Sequence, residues 1–146
     1  MKTTDEAGVG RRGQAVLEFA LILPIFMLLF LAATDFGRAY LRLHLLTSAA
    51  REGSRAGSLP ASTDSRVRDS VDRFLADAGL DPVNWPPSEI VVTDPDGNPR
   101  AGLAQARQGD RVRVTVEQDF VLIGAGFLPG NRGTIPLQAS CTFRHE

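Results

Sequence analysis

The sequence has few of the residues that usually carry chemistry. Among its 146 residues there is a single cysteine, Cys141, which excludes an intramolecular disulfide and a thiolate metal cluster. The two histidines, His44 and His145, do not have the spacing of a metal-binding motif. The sequence contains no nucleophile elbow, phosphate-binding loop or dinucleotide fingerprint. We therefore expect no cofactor, no metal and no enzymatic activity.

An excess of charge of one sign is also missing. The formal net charge is −1, whereas a nucleic-acid-binding protein usually has a basic face, so we expect no nucleic-acid partner. The hydrophobic content of 43% is unevenly distributed along the chain. The first third contains a long apolar block, and the remainder has the composition of an ordinary soluble domain.

The apolar block runs from Ala15 to Ala33 and contains one charged residue, Glu18. It is about as long as a helix needs to be to cross a hydrocarbon core ~30 Å thick. A buried core helix would normally show a polar face, and Phe19 to Ala33 has none. A cleaved secretory signal is a further alternative, but no clear small-x-small cleavage site follows. We predict a membrane span at residues 15–33, with a kink at Pro24.

Two arginines, Arg11 and Arg12, stand directly before the apolar block. Positive charge holds the flank of a span on the cytoplasmic side, so the N-terminus is predicted to be cytoplasmic and the remaining domain external. Residues 1–13 are polar, contain three glycines and show no apolar periodicity. We predict that they form a cytoplasmic leader without regular structure.

The helix that contains the span is predicted to cover residues 14–57, continuing beyond the membrane. Its packing face is predicted from apolar positions at helical spacing: Phe36, Tyr40, Leu43, Thr47 and Ala50. Asp35 and Arg38 are three residues apart and are expected to pair on the helix surface. Ala49, Gly53 and Gly57 form a strip of small residues that allows a strand or another helix to approach closely. Alternatively, these glycines only weaken and end the helix.

Residues 58–146 are predicted to form a small external α+β domain, in which a helix packs on a short antiparallel sheet. The helix covers Asp64 to Ala78, with an apolar face made of Val67, Val71, Phe74, Leu75 and Ala78. Alternating patterns predict strands at 90–93, 111–120 and 134–144. A turn is predicted at 94–99, and residues 121–131 are apolar but loop-like.

Glu18 is the residue that most needs an explanation. A carboxylate at the centre of a membrane span costs ~2.5–3.5 kcal/mol on insertion scales, and less near the edge. One alternative is that Glu18 lies close enough to the headgroups to reach water. The functional alternative is that it meets a positive charge supplied by another molecule.

The residues around Glu18 resemble a known processing site. Residues 13–19, GQAVLEF, are similar to the cleavage site of class III (type IV-like) prepilins of the Flp, or tight-adherence, system. The resemblance implies that a prepilin peptidase cuts between Gly13 and Gln14. It also implies that Glu18 and Phe19 act in recognition and assembly. Phe19 stands where major pilins usually have tyrosine, but TadE-like proteins commonly have phenylalanine there.

Over a longer range, residues 12–58 resemble the N-terminal domain of the TadE-like pseudopilins. The shared segments are RGQAVLEFALILP, DFGR at residues 35–38 and AAREGSRAG at residues 49–57. The strands from residue 110 to the end also resemble this family, whereas residues 59–109 match nothing that we can place.

The resemblance implies a minor pseudopilin that takes part in assembly of a tight-adherence pilus or secretion apparatus. Its expected partners are a prepilin peptidase, other pilins or pseudopilins, the inner-membrane assembly platform and the lipid bilayer. Its expected location is the bacterial plasma (inner) membrane. The main alternative is an uncleaved bitopic anchor that presents an adhesion or binding module. An enzyme or sensor domain on a signal anchor is a third.

Overall fold

The computed structural model describes residues 6–80, 87–127 and 133–146. They form two helices and four strands: α1 (Glu6–Ser58), α2 (Asp64–Asp77), β1 (Glu89–Thr93), β2 (Pro99–Arg100), β3 (Arg111–Val121) and β4 (Thr134–Arg144). Two single turns of 3-10 helix lie at Leu103–Gln105 and Gly124–Phe127. All strand pairs are antiparallel, and the strand order is β2-β1-β3-β4. The predicted α+β fold class is confirmed.

The chain divides into two compact units. The N-terminal unit comprises residues 1–37 and 122–133, and the sheet unit comprises residues 38–121 and 134–146. The sheet unit therefore includes the second half of α1, together with α2 and all four strands.

The first helix begins at Glu6, earlier than the sequence predicted. The part of the predicted leader from Glu6 to Gly13 is helical, so the expectation of no regular structure is wrong there. Adding residues to an existing helix costs far less than starting one, so the long apolar helix can extend through a glycine-containing flank. α1 also continues through Pro24, and a kink at that proline stays a prediction.

In the N-terminal unit, the apolar part of α1 is exposed. Among the described residues, one helix is long and apolar enough to cross a membrane, with a mean hydropathy of 2.6 in a window of which 0% is buried. Large side chains on all sides of this stretch are solvent-accessible; they include Leu17 (72%), Leu21 (76%) and Phe26 (63%). The helix thus differs from the core helix of a soluble protein, which hides its apolar side chains. This finding suggests a membrane anchor.

The core of the sheet unit lies between the inner face of the sheet and the two helices. β3 contributes Val112, Val114 and Val116, which are buried as predicted. Arg113 and Glu117 are exposed, but Thr115, between two of the valines, is itself buried, so the alternation is not complete. The helices contribute apolar residues that are almost completely buried: Leu46, Ala49 and Ala50 from α1, and Val67, Val71 and Leu75 from α2. On β4, Ala139 is buried, whereas Ile135 and Phe143 at the strand ends remain exposed.

The predicted packing face of α1 is wrong at its N-terminal end. Phe36 is 75% exposed and Tyr40 is 58% exposed, whereas Leu46 and Ala50 are completely buried. The buried face is formed mainly by small residues, because the sheet and α2 approach the helix too closely to leave room for aromatic side chains.

The predicted strip of small residues explains this close approach. A methyl group at Gly53 would lie 2.5 Å from Val71 Cγ2, and one at Gly57 would lie 2.9 Å from Val112 Cγ1. Both distances are shorter than a carbon–carbon contact allows. The predicted approach of a strand and a helix is therefore confirmed, and the alternative that these glycines only end the helix is wrong.

The second helix begins and ends as its sequence indicates. The Thr63 side chain caps the N-terminus by accepting a hydrogen bond from Arg66 N at 3.3 Å. Gly79 adopts φ +75°, which allows Leu80 N to donate to Leu75 O at 2.9 Å and close the last turn. The predicted apolar face is buried apart from Phe74, which is partly exposed, and Ala78 at its C-terminal end, which is exposed.

The predicted turn and strands are confirmed with small changes in their ends. Asp94 forms the β1–β2 turn by accepting from Asp96 N at 3.0 Å and from Asn98 N at 2.8 Å. Gly97 in this turn has φ +95°. The apolar loop at 121–131 contains the 3-10 turn Gly124–Phe127, and its residues 128–131 lie outside the described part of the chain.

Candidate functional site

The predicted cleavage and assembly residues lie together near the start of α1. Gln14 and Glu18 are one helical turn apart, and Gln14 Nε2 donates to Glu18 Oε1 at 3.3 Å. Gly13 has open space around it, since a methyl group there would meet nothing within 4 Å. Phe19 is 66% exposed. An added side chain at Gly13 would therefore have open space, while the Gly13–Gln14 bond itself lies inside the continuous helix.

Glu18 has an unusual setting for a carboxylate. It is exposed, and its neighbours along the helix are apolar side chains that are also exposed, including Val16 (67%), Leu17 (72%) and Ile22 (58%). Its hydrogen bond is to an amide on its own helix, which neutralises no charge. In lipid, such a carboxylate is stabilised by the headgroup region or by a cation from another molecule.

Three further residues near this site, two arginines before the apolar run and one proline inside it, were predicted to have roles in orientation and bending. Arg11 and Arg12 lie within α1, immediately before the apolar run, and Pro24 lies inside it. Their roles as orientation signal and helix kink stay predictions, as do the roles of Gly13 and Gln14 in cleavage.

A second polar site on α1, at Asp35, was not found by the sequence reasoning. Asp35 is only 4% exposed. Its Oδ1 accepts from Ile123 N at 3.0 Å, and its Oδ2 accepts from Gly124 N at 2.7 Å. The expected surface position of this residue is therefore wrong, because its carboxylate holds the backbone at the start of the 3-10 turn Gly124–Phe127. An acidic residue directly after an apolar run is the only local signal, and its partners are 88 and 89 residues away.

Polar contacts in the sheet unit serve the fold. The buried Asp110 carboxylate accepts from Arg107 N at 2.8 Å and pairs with Arg100 Nε at 2.5 Å. The hydrogen bond from the Arg107 backbone, followed by that from Arg100, lowers the pKa of Asp110 although burial opposes the shift. The pKa of Asp94 is also lowered, chiefly by the hydrogen bond from the Asn98 side chain.

The clusters and cavities of the sheet unit are modest. Within the described residues, no group of three or more His, Cys, Asp or Glu could hold a metal ion. Two cavities, of about 350 and 440 Å³, share Gly109 and Arg144 in their walls. His145 lines the second cavity, but its Nδ1 lies 3.0 Å from Gly57 O and connects the end of β4 to the end of α1.

Comparison with known families identifies the segment that contains Glu18 and Asp35. Residues 13–55 match the family model TadE, described as TadE-like protein. The expected resemblance is thereby confirmed over most of α1. The match covers less than a third of the 146 residues, so it is a likeness of this segment to TadE-like proteins. Neither the comparison with curated proteins nor that with solved structures gave a match.

The TadE-like segment begins at Gly13, where the predicted scissile bond lies, and ends at Arg55, close to the end of α1. It contains both polar sites of the helix. It also contains Ala49 and Gly53, which approach the sheet. The predicted resemblance of the last strands to the same family lies outside the match and stays a prediction.

Proposed function

We propose that this chain is a minor pseudopilin that takes part in assembly of a tight-adherence pilus or secretion apparatus. In this proposal a prepilin peptidase removes residues 1–13 by cutting after Gly13. The chain acts as a structural component without enzymatic activity. Its N-terminus lies in the cytoplasm, its apolar helix crosses the bacterial inner membrane, and the sheet unit is external.

The observation that carries the proposal is the relation of Glu18 to the predicted cleavage site. Glu18 lies one turn after Gln14 on an exposed helix, and the distance between their side chains is 3.3 Å. A cut after Gly13 therefore creates an amine one helical turn, ~6 Å, before the single carboxylate of the apolar run. The TadE-like match begins at the glycine that precedes this bond.

In the proposed assembly, the new amine of one copy is the cation that meets Glu18 of a neighbouring copy or partner pilin. The amine on Gln14 is positively charged at neutral pH, and the carboxylate that pairs with it is Glu18 of the neighbouring copy or its equivalent in a partner pilin. Two unit charges ~4 Å apart attract with roughly 4 kcal/mol at an effective dielectric of 20, before the cost of desolvation is subtracted. Such a pair fixes the axial register between parallel helices and helps to extract them from lipid. The partners in this proposal are other pilins or pseudopilins and the inner-membrane assembly platform.

One structural observation favours the alternative of an uncleaved anchor. The helix continues without interruption from Glu6 through Gly13, although a peptidase must have access to the backbone at its scissile bond. In the alternative, residues 1–13 remain attached, and α1 serves only to present the sheet unit as an adhesion or binding module.

Mass spectrometry of the intact protein, purified from its own host, separates the two functions. The pseudopilin proposal predicts a mature chain that begins at Gln14, and the anchor predicts one that begins at Met1 or Lys2. Gly13→Ala should abolish the cut, because the peptidase is expected to require glycine before the scissile bond. Gly37→Ala is the matched control, because both glycines lie on α1 with nothing within 4 Å of an added methyl group. Retention of residues 1–13 in cells with an active prepilin peptidase would refute the proposal.

A further inference from the structure

The segment held by Asp35 has the features of a chain that contacts lipid. It follows β3, and residues 121–128 (VLIGAGFL) carry no polar side chain. Within the described part of this segment, the apolar side chain of Ile123 is 50% exposed. One exposed apolar side chain is common on a protein surface, so the case for a partner depends on where this segment lies.

The backbone of this segment is prepared for a medium without water. Leu122 N donates to Gly133 O at 2.6 Å. The next two N–H groups, those of Ile123 and Gly124, both donate to the Asp35 carboxylate. Three consecutive donors are therefore satisfied internally, which meets the donor half of the requirement that a bilayer places on a backbone that enters it.

The position of the segment along α1 places it where the predicted span ends. A methyl group at Gly124 would lie 3.6 Å from Leu31 Cβ. Leu31 lies two residues before the end of the apolar run at Ala33, which is ~3 Å of helix at 1.5 Å per residue. The segment thus lies beside the last turn of the span, at the level of the headgroups.

From this geometry we infer that residues 122–125 form an interfacial lipid contact, with Ile123 inserted between the headgroups of the outer leaflet. Asp35 is the positioning residue, since its carboxylate holds the segment against the helix at this depth. The inference rests on the proposed membrane span and adds a second contact with the bilayer. Apolar side chains at this level enter ~5–10 Å into the boundary between headgroups and acyl chains. The contact fixes the height of the helix end in the membrane.

A depth measurement on the full chain tests this inference. Cys141→Ser removes the single thiol, and Ile123→Cys then carries a nitrobenzoxadiazole probe in vesicles of phosphatidylethanolamine and phosphatidylglycerol. We expect nitroxide lipids labelled near the headgroup to quench roughly half or more of the emission, and aqueous iodide to quench little. Asp35→Ala should at least halve the lipid quenching, because both backbone donors lose their acceptor. Asp35→Asn keeps one acceptor oxygen and should give an intermediate value.

Two further probe positions make the result unambiguous. Phe26→Cys reports on the span itself, and Leu59→Cys is a similarly exposed apolar residue of the sheet unit (44%, against 50% for Ile123). Lipid quenching at Phe26 without quenching at Ile123 would overturn the inference and leave the anchor intact. No lipid quenching at Phe26 would refute the membrane span and this inference together. Equal quenching at Leu59 and Ile123, or protection of Ile123 from iodide without lipid quenching, would also overturn it, by showing general adsorption or a protein contact.

Discussion

The contact between α1 and its neighbours at Gly53 gives the sharpest test of the packing. In Gly53→Ala the new methyl group would lie 2.5 Å from Val71 Cγ2 and 3.2 Å from Val114 Cγ1. One valine belongs to α2 and the other to β3, so movement away from one neighbour presses on the other. Overpacking of this kind costs ~1–3 kcal/mol, and we take the upper part of that range because the contact is closed on two sides.

The same substitution also has a favourable term. Alanine is better than glycine inside a helix by ~1 kcal/mol. The net expectation for Gly53→Ala is a loss of roughly 1–2 kcal/mol in the free energy of unfolding of the sheet unit. For a unit of 97 residues this corresponds to a decrease in Tm of roughly 5–15 °C.

The assay is urea unfolding of the full chain in detergent, followed by labelling of Cys141. This thiol is partly buried on β4 and packs against the core, so its labelling reports the opening of the sheet unit rather than of the apolar helix. Gly37→Ala on the same helix is the control, because an added methyl group there meets nothing within 4 Å. It should leave the Cys141 midpoint unchanged or slightly raised, because only the favourable helix term remains. If Gly53→Ala also kept the wild-type midpoint, the tight contact described here would not exist.

Three further predictions concern the polar groups. Ser54→Ala removes a buried hydroxyl whose Oγ lies 2.7 Å from Ala50 O and 2.9 Å from Cys141 O, and it should cost ~1–2 kcal/mol in the same assay, with an unchanged midpoint as the contrary result. The Arg107 N–H bond lowers the pKa of Asp110, so the stability from this carboxylate is present above about pH 4 and is lost as the pH falls through the lowered pKa. Asp110→Asn should therefore flatten the acid side of a Tm–pH profile, and an equally steep profile would contradict this. Glu18→Gln should reduce co-purification with pilus components while membrane insertion persists, and normal pilus formation by that variant would argue against the charge pair.

Features with a strong local period could be predicted from the sequence. The alternation of Val112, Val114 and Val116 with polar residues determines which face of β3 is buried, because successive side chains point to opposite sides of a strand. The spacing of Gly53 and Gly57 indicated the close approach to α1, because four residues return to nearly the same side of a helix.

Features that depend on distant parts of the chain could not be predicted. A large apolar residue such as Phe36 looks like part of a core, but burial is decided by what the fold places beside it, and that position faces outward. Asp35 looked like a surface residue because the N–H groups that its carboxylate oxygens bind belong to a loop after β3, far away in the sequence. The role of His145 was missed for the same reason, since its contact with Gly57 O joins residues 88 positions apart.

The glycines of α1 have a consequence for how copies of the chain can associate. Small residues four apart are what two membrane helices commonly use to bring their backbones together. Here Gly53 and Gly57 already receive α2 and β3 of their own chain, so this surface is occupied within each subunit. In the proposed assembly, lateral contacts between subunits would form along the upstream stretch from Phe19 to Phe36, whose bulky side chains would keep helix axes ~8–10 Å apart. Interlocking of large side chains, rather than backbone contact, would determine the spacing of a filament built from such helices.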